Sequence, residues 1–141
     1  MADPPIDEEF TITRVFDAPR ELVWKAWTDP EQVARWYGPR GFSTPRSTIT
    51  MDVRRGGAFA LTMVDDNDGT EYPSGGTFLE VEEPERLVWR DRDIDLLVTI
   101  TFADLGGRTE MTCHVVGRTG GAEAHDGWST MFDELAEYLA A

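Results

Sequence analysis

GAEAHDGWSTMFDELAEYLA, residues 121–140, reads as one amphipathic helix. Its apolar side chains recur at Trp128, Met131, Phe132, Leu135, Tyr138 and Leu139. Steps of three and four place them on one helical stripe, with Ser129, Asp133, Glu134 and Glu137 on the other faces. Such a stripe has to be buried, and the preceding residues from Thr48 to Val116 read almost wholly as β-strand. A long terminal helix packed on an antiparallel sheet follows from these two facts. Gly127 interrupts the stripe at its start. A helical glycine costs about 0.8–1 kcal/mol relative to alanine, so this one calls for close backbone approach or space reserved for a ligand.

Upstream of the helix, the strands are marked by alternation. Met111, Cys113 and Val115 alternate with Thr112 and His114, and Val98, Ile100 and Phe102 with Thr99 and Thr101. Leu87 with Trp89, and Thr77, Leu79 and Val81, mark two more. Phe59, Leu61 and Met63 form another, as do Ile49, Met51 and Val53. Asp68-Gly69 and Gly106-Gly107 are turn signals between strands. At the front, Glu9 to Phe16 alternates as a first strand, and residues 1–8 are expected to be a flexible tail. Pro19 and Pro30 each open a short helix, one with Leu22, Val23, Ala26 and Trp27 on a face, the other with Val33, Trp36 and Tyr37. The expected order is one strand, two short helices, about six strands and a long helix, an α+β meander forming a single domain over 9–141.

Composition narrows the function. The chain has 141 residues, 27 acidic against 13 basic, and a net charge of −14. That balance argues against nucleic acid or an anionic membrane as partner. No apolar run is long enough to insert in a bilayer. The opening MADPPIDEEF has neither a basic nor an apolar signal region, so a cytoplasmic protein is expected.

Reactive groups are few. Cys113 and His114 point to opposite faces of one strand and form no nucleophile–base pair, and His125 lies on the helix. One cysteine and two histidines lack zinc spacing, so no metal or other cofactor is assigned. The run from Val64 to Gly75 lacks the carboxylates of a calcium loop at both ends. Asp91, Asp93 and Asp95 alternate and could share one face, but the segment reads as a solvated turn between two strands; Asp91, in register with the inward Leu87 and Trp89, is the one kept as a candidate polar group of the interior. Gly117, Gly120 and Gly121 follow no parallel β-α unit and give no nucleotide site.

Several motifs resemble one family. Val15-Phe16-Asp17-Ala18-Pro19-Arg20-Glu21-Leu22-Val23-Trp24, Trp27-Thr28-Asp29-Pro30-Glu31, Arg35-Trp36-Tyr37-Gly38-Pro39, Asp52-Val53-Arg54-Arg55-Gly56-Gly57, Pro84-Glu85-Arg86-Leu87-Val88-Trp89 and Gly127-Trp128 resemble START-like (SRPBCC) domains of the activator-of-heat-shock-protein-ninety-ATPase type. The resemblance spans roughly Phe10 to Leu139. It implies the helix-grip, or birch-pollen-allergen-like, fold, in which a curved sheet wraps the C-terminal helix and leaves a hydrophobic cavity. The family often has a second tryptophan where this chain has Tyr37, which places a hydroxyl near the cavity rim. The eukaryotic co-chaperone's separate N-terminal domain has no counterpart in these residues.

Within that fold, Trp36, Tyr37, Phe59, Met63, Trp89, Asp91, Met111, Trp128 and Phe132 are the candidate cavity residues. The leading expectation is binding of a small apolar or aromatic molecule, without catalysis. A cyclase or hydrolase on the same cavity, and a chaperone-associated interaction module, are the alternatives. A homodimer stays open, and a chaperone partner has only the family's name behind it.

Overall fold

The computed structural model describes residues 8–92, 95–117 and 122–140. The expected tail lies outside the described residues up to position 7, as do Asp93, Gly120 and Gly121. In order, the elements are β1 (Glu8–Phe16), α1 (Arg20–Thr28), α2 (Pro30–Trp36), β2 (Phe42–Ser43), a 3-10 turn (Arg46–Thr48), β3 (Thr50–Met51), β4 (Ala58–Asp65), β5 (Glu71–Glu82), β6 (Arg86–Asp91), β7 (Leu96–Asp104), β8 (Thr109–Gly117) and α3 (Ala122–Ala140). All strand pairs are antiparallel. The sheet runs β1-β8-β7-β6-β5-β4-β2, with β3 also on β4. Thus the segment holding the two helices connects β1, on one edge beside β8, to β2 on the other edge beside β4, and β4 to β8 form a meander.

Alternation turns directly into burial. Along β8, Thr109, Met111, Cys113 and Val115 are buried while Glu110, Thr112 and His114 are half-exposed. Along β7, Leu96, Val98, Ile100 and Phe102 do the same. Met131, Phe132 and Leu135 of α3 close on this face, joined by Val23, Trp24, Ala26 and Trp27 of α1. Burying apolar side chains of this size is the main stabilising term in the fold. Leu22, expected on the buried face of α1, is exposed, and Trp24 takes that role, edge-on to Phe102.

Two polar contacts fix how the helices enter. The buried hydroxyl of Thr109 donates to the Ala18 carbonyl over 2.7 Å, tying the start of α1 to β8. Asp29 caps α2, its carboxylate accepting from the Glu31 N–H, with Pro30 at the first helical position.

Three expectations are corrected. Thr48–Val53 is not one strand: a 3-10 turn ends at Thr48, and only Thr50 and Met51 pair with β4. Ile49 is buried instead with Val33 and Leu61 in a small second core. The strand expected around Thr77–Val81 begins earlier, at Glu71, and carries a bulge between Phe78 and Glu80. Phe78 faces the core and Leu79 is turned out, because the extra residue reverses the alternation there. Gly117 closes β8 at φ 123°, where a Cβ would lie 2.0 Å from the Asp95 carbonyl oxygen, so only glycine fits.

Candidate ligand cavity

Between the sheet and the first half of α3 lies a cavity of about 270 Å³. Phe59 and Met63 of β4, Ser74 of β5 and Trp89 and Asp91 of β6 form its sheet wall. Gly127, Trp128 and Met131 supply the helix wall, and Tyr37 and Pro39 close one side. Strand alternation explains the sheet side, since Phe59 and Met63 share a face of β4, and Trp89 and Asp91 a face of β6. Helical spacing brings Ala124, Gly127, Trp128 and Met131 to one face of α3. The Trp89 and Trp128 rings lie 6.5 Å apart, and Trp89 is edge-on to Phe59 at 5.8 Å.

Tyr37 is held from both sides of its backbone. Its N–H donates to the Val33 carbonyl, ending α2, and its own carbonyl accepts from the Thr44 hydroxyl over 2.7 Å. Burial pushes the Tyr37 hydroxyl well above its usual range, and Cys113 and Asp91 act in the same direction. It is therefore a neutral hydrogen-bonding group at any ordinary pH. The other polar groups of the wall are Ser74 and Asp91, with the Ser74 hydroxyl 3.5 Å from the Asp91 carboxylate.

Six of the nine residues selected from the sequence are brought together here: Tyr37, Phe59, Met63, Trp89, Asp91 and Trp128. The other three lie elsewhere. Met111 is fully buried in the core on β8. Phe132 is also fully buried, edge-on to Trp27 and Trp128. Trp36 points its indole N–H to the Ala26 carbonyl over 2.8 Å and borders a separate cleft between α2 and the C-terminal half of α3. Ser74, Pro39, Leu96 and Ala124 line the cavity and were not among the candidates. Ser74 sits between Pro73 and Gly75, where no apolar alternation marks a strand, and it shares a face of β5 with the inward Gly76.

A smaller chamber of about 20 Å³ shares Tyr37, Phe59 and Trp89 with the large cavity and continues to Trp27. Burial also raises the Cys113 thiol far above its usual range, so it stays protonated and unreactive. His114 pairs with Glu9 at 2.7 Å, and His125 stands edge-on to Phe10. Among the described residues, no histidine, cysteine or lysine lines the cavity. None of their His, Cys, Asp and Glu side chains gather in threes that could hold a metal ion.

A curved antiparallel sheet closed on a C-terminal helix, with an aromatic cavity between them, is the helix-grip class of START-like domain. Residues 17–140 match the family described as activator of Hsp90 ATPase homolog 1-like protein (AHSA1), and the chain belongs to that family. Solved structures agree. A protein of Chromobacterium violaceum is 30% identical, with a TM-score of 0.84 over 92% of this chain and 96% of its own. A protein of Nitrosomonas europaea is 27% identical, with a TM-score of 0.84 over 98% and 97%. The AHSA1-like protein of Aeromonas hydrophila is 27% identical, with a TM-score of 0.84 over 94% and 92%. No match was found among curated proteins. Family membership supports a ligand-binding fold. Among the described residues, no helix is long and apolar enough to cross a membrane.

Proposed function

We propose that this protein binds a small, largely apolar or aromatic molecule in the cavity between its sheet and α3, without a cofactor. The observation that carries the reading is the wall itself, where aromatic and methionine side chains dominate and three polar groups gather at Tyr37, Ser74 and Asp91. Cavities of this make-up take apolar ligands and use a few polar groups to orient them. The open side of Gly127 supports it, because a Cβ there would meet nothing within 4 Å. An interaction module would present a contiguous apolar surface. Among the described residues, the large exposed apolar side chains are instead spread over β1, α1, β5 and the turn before β8, at Val15, Leu22, Tyr72, Leu79 and Leu105.

The test is native mass spectrometry of freshly purified protein, followed by titration with the neutral fluorophore N-phenyl-1-naphthylamine. A co-purifying small molecule, or saturable one-site binding that quenches tryptophan fluorescence, supports the proposal. Absence of both overturns it.

A further inference from the structure

Among the described residues, Asp91 is the one charged side chain in the wall of the large cavity, and no lysine, arginine or histidine lines it. The arginines on either side of Asp91 point elsewhere. Arg90 is exposed and pairs with Asp95. Arg92 lies over Gly75, its guanidinium nitrogens 3.1 Å from where a Cβ would stand, and Gly75 faces the side of β5 opposite Ser74. The negative charge of Asp91 is felt inside the cavity, where it acts on the Tyr37 hydroxyl.

The surroundings of this carboxylate favour a positive partner. Trp89 stands two residues away on the same face of β6, about 7 Å along the strand. Trp128 holds its indole 6.5 Å from that of Trp89, and Phe59 and Tyr37 add two further rings to the wall. Ring faces attract cations, the more so where water is displaced. A carboxylate accepts from several donors at once, so a ligand can join the contacts Asp91 already makes, among them the Ser74 hydroxyl at 3.5 Å. The net charge of −14 adds a field that concentrates cations at the surface and repels anions.

We propose that the ligand is an amphiphilic amine, an apolar or aromatic body seated among these rings with its protonated ammonium group donating to the Asp91 carboxylate beside the indoles of Trp89 and Trp128. This rests on the ligand-binding reading above and adds to it the charge of the ligand and the residue that orients it.

Three probes with one naphthalene body separate the two claims: 2-naphthylmethylamine, cationic at pH 7, 2-naphthylmethanol, neutral, and 2-naphthoate, anionic. Each is titrated calorimetrically into the full chain at pH 7, in physiological and in 1 M sodium chloride. The amine is expected to bind about tenfold more tightly than the alcohol, as one charge-assisted hydrogen bond implies, with naphthoate the weakest. A lead of about threefold or more should remain in 1 M salt, where the screening length is about 3 Å and distant charges no longer act. Asp91→Asn should bring amine and alcohol within about twofold of each other. Equal binding of amine and alcohol to the unmodified chain overturns the amine inference and leaves the cavity reading standing. A lead that vanishes in 1 M salt, or that survives Asp91→Asn, belongs to the overall charge and overturns it too. Binding of none of the three removes both proposals. Should Asp91→Asn fold poorly, the carbon-13 resonance of the Asp91 carboxyl group is followed in the unmodified chain. Bound amine should move it more than bound alcohol does, and equal responses overturn the inference.

Discussion

Trp89 on β6 and Trp128 on α3 hold their rings 6.5 Å apart at an angle of 28°, across the cavity between sheet and helix. One turn further along α3, Phe132 is edge-on to Trp128 and fully buried. Adjacent aromatic residues on one stripe thus have different surroundings, and their truncations should read differently. Phe132→Ala is expected to cost about 3–5 kcal/mol, the full cost of a buried aromatic. This replaces the smaller cost that a cavity-lining Phe132 would have implied. Trp128→Ala should cost less and weaken binding of N-phenyl-1-naphthylamine. Denaturant unfolding and probe titration of the two variants check this. Equal stability losses with unchanged binding would mean that both rings serve packing alone.

Gly127 gives a prediction of opposite sign. Its helical position lies open to the cavity, so Gly127→Ala should stabilise the protein by about 0.8–1 kcal/mol. Gly127→Phe should fill the space and reduce probe binding while the fold survives. A destabilising alanine would show that the helix backbone needs the glycine for another reason.

Leu135 lies beyond the cavity on the same stripe and is fully buried. Leu135→Ala is expected to cost about 2–5 kcal/mol and to leave probe affinity alone. Loss of affinity at native stability would extend the binding site toward the C-terminus of α3.

Stability should fall at alkaline pH. Burial raises the folded-state values of the Cys113 thiol and the Tyr37 hydroxyl, so both keep their protons while the unfolded chain loses them. Below the unfolded values, about 8.5 for cysteine and 10 for tyrosine, the two states bind equal protons and the stability is whole. Above each value the unfolded chain is favoured, by up to about 1.4 kcal/mol per pH unit and group. Urea unfolding from about pH 7 to about 11.5 should show two successive losses, and Cys113→Ala should remove the first. Parallel curves for the two proteins would show that Cys113 ionises freely in the native state, as would rapid labelling by thiol reagents.

Salt should stabilise the chain. A net charge of −14 on a domain of this size is self-repelling, and at physiological strength the screening length is roughly 8 Å. Surface pairs such as Arg14–Asp133 and Arg86–Glu80 weaken under the same screening, but each is worth only about 0–1 kcal/mol. The unfolding midpoint should therefore rise from low to physiological sodium chloride. A flat or falling midpoint would mean that these pairs outweigh the repulsion.

How far the residues announce this structure depends on which force shapes each part. Where one face meets the core and the other meets water, as along β7, β8 and α3, periodicity alone is sufficient. It fails at β5, whose first residues, Pro73, Gly75 and Gly76 among them, show no alternation of apolar side chains. Pro73 is tolerated because pairing with β6 begins only at Gly76, so the strand has one neighbour at that point. Gly76 is required because a Cβ would lie 2.1 Å from the Arg90 carbonyl oxygen. Neither reason is visible without the partner strand. For the cavity, spacing identifies the inward side chains but cannot separate lining from filling. Trp36, Met111 and Phe132 face inward as Trp89 does, and only the distance between sheet and helix at each level tells them apart.

The glycines divide the molecule into parts that can vary and parts that cannot. At Gly57, Gly76 and Gly117 a side chain would collide with a carbonyl oxygen of the main chain itself, 2.0–2.1 Å away. Backbone against backbone sets the frame there, independently of what the container holds. Met63, Ser74, Ala124, Gly127 and Met131 stand around the cavity, and none of them supplies an atom that a side chain at those three glycines would meet. On the binding role proposed above, wall residues can change while that frame is kept. A library randomised at those wall positions, with the three closure glycines held fixed, is the natural starting point for giving the scaffold a new ligand.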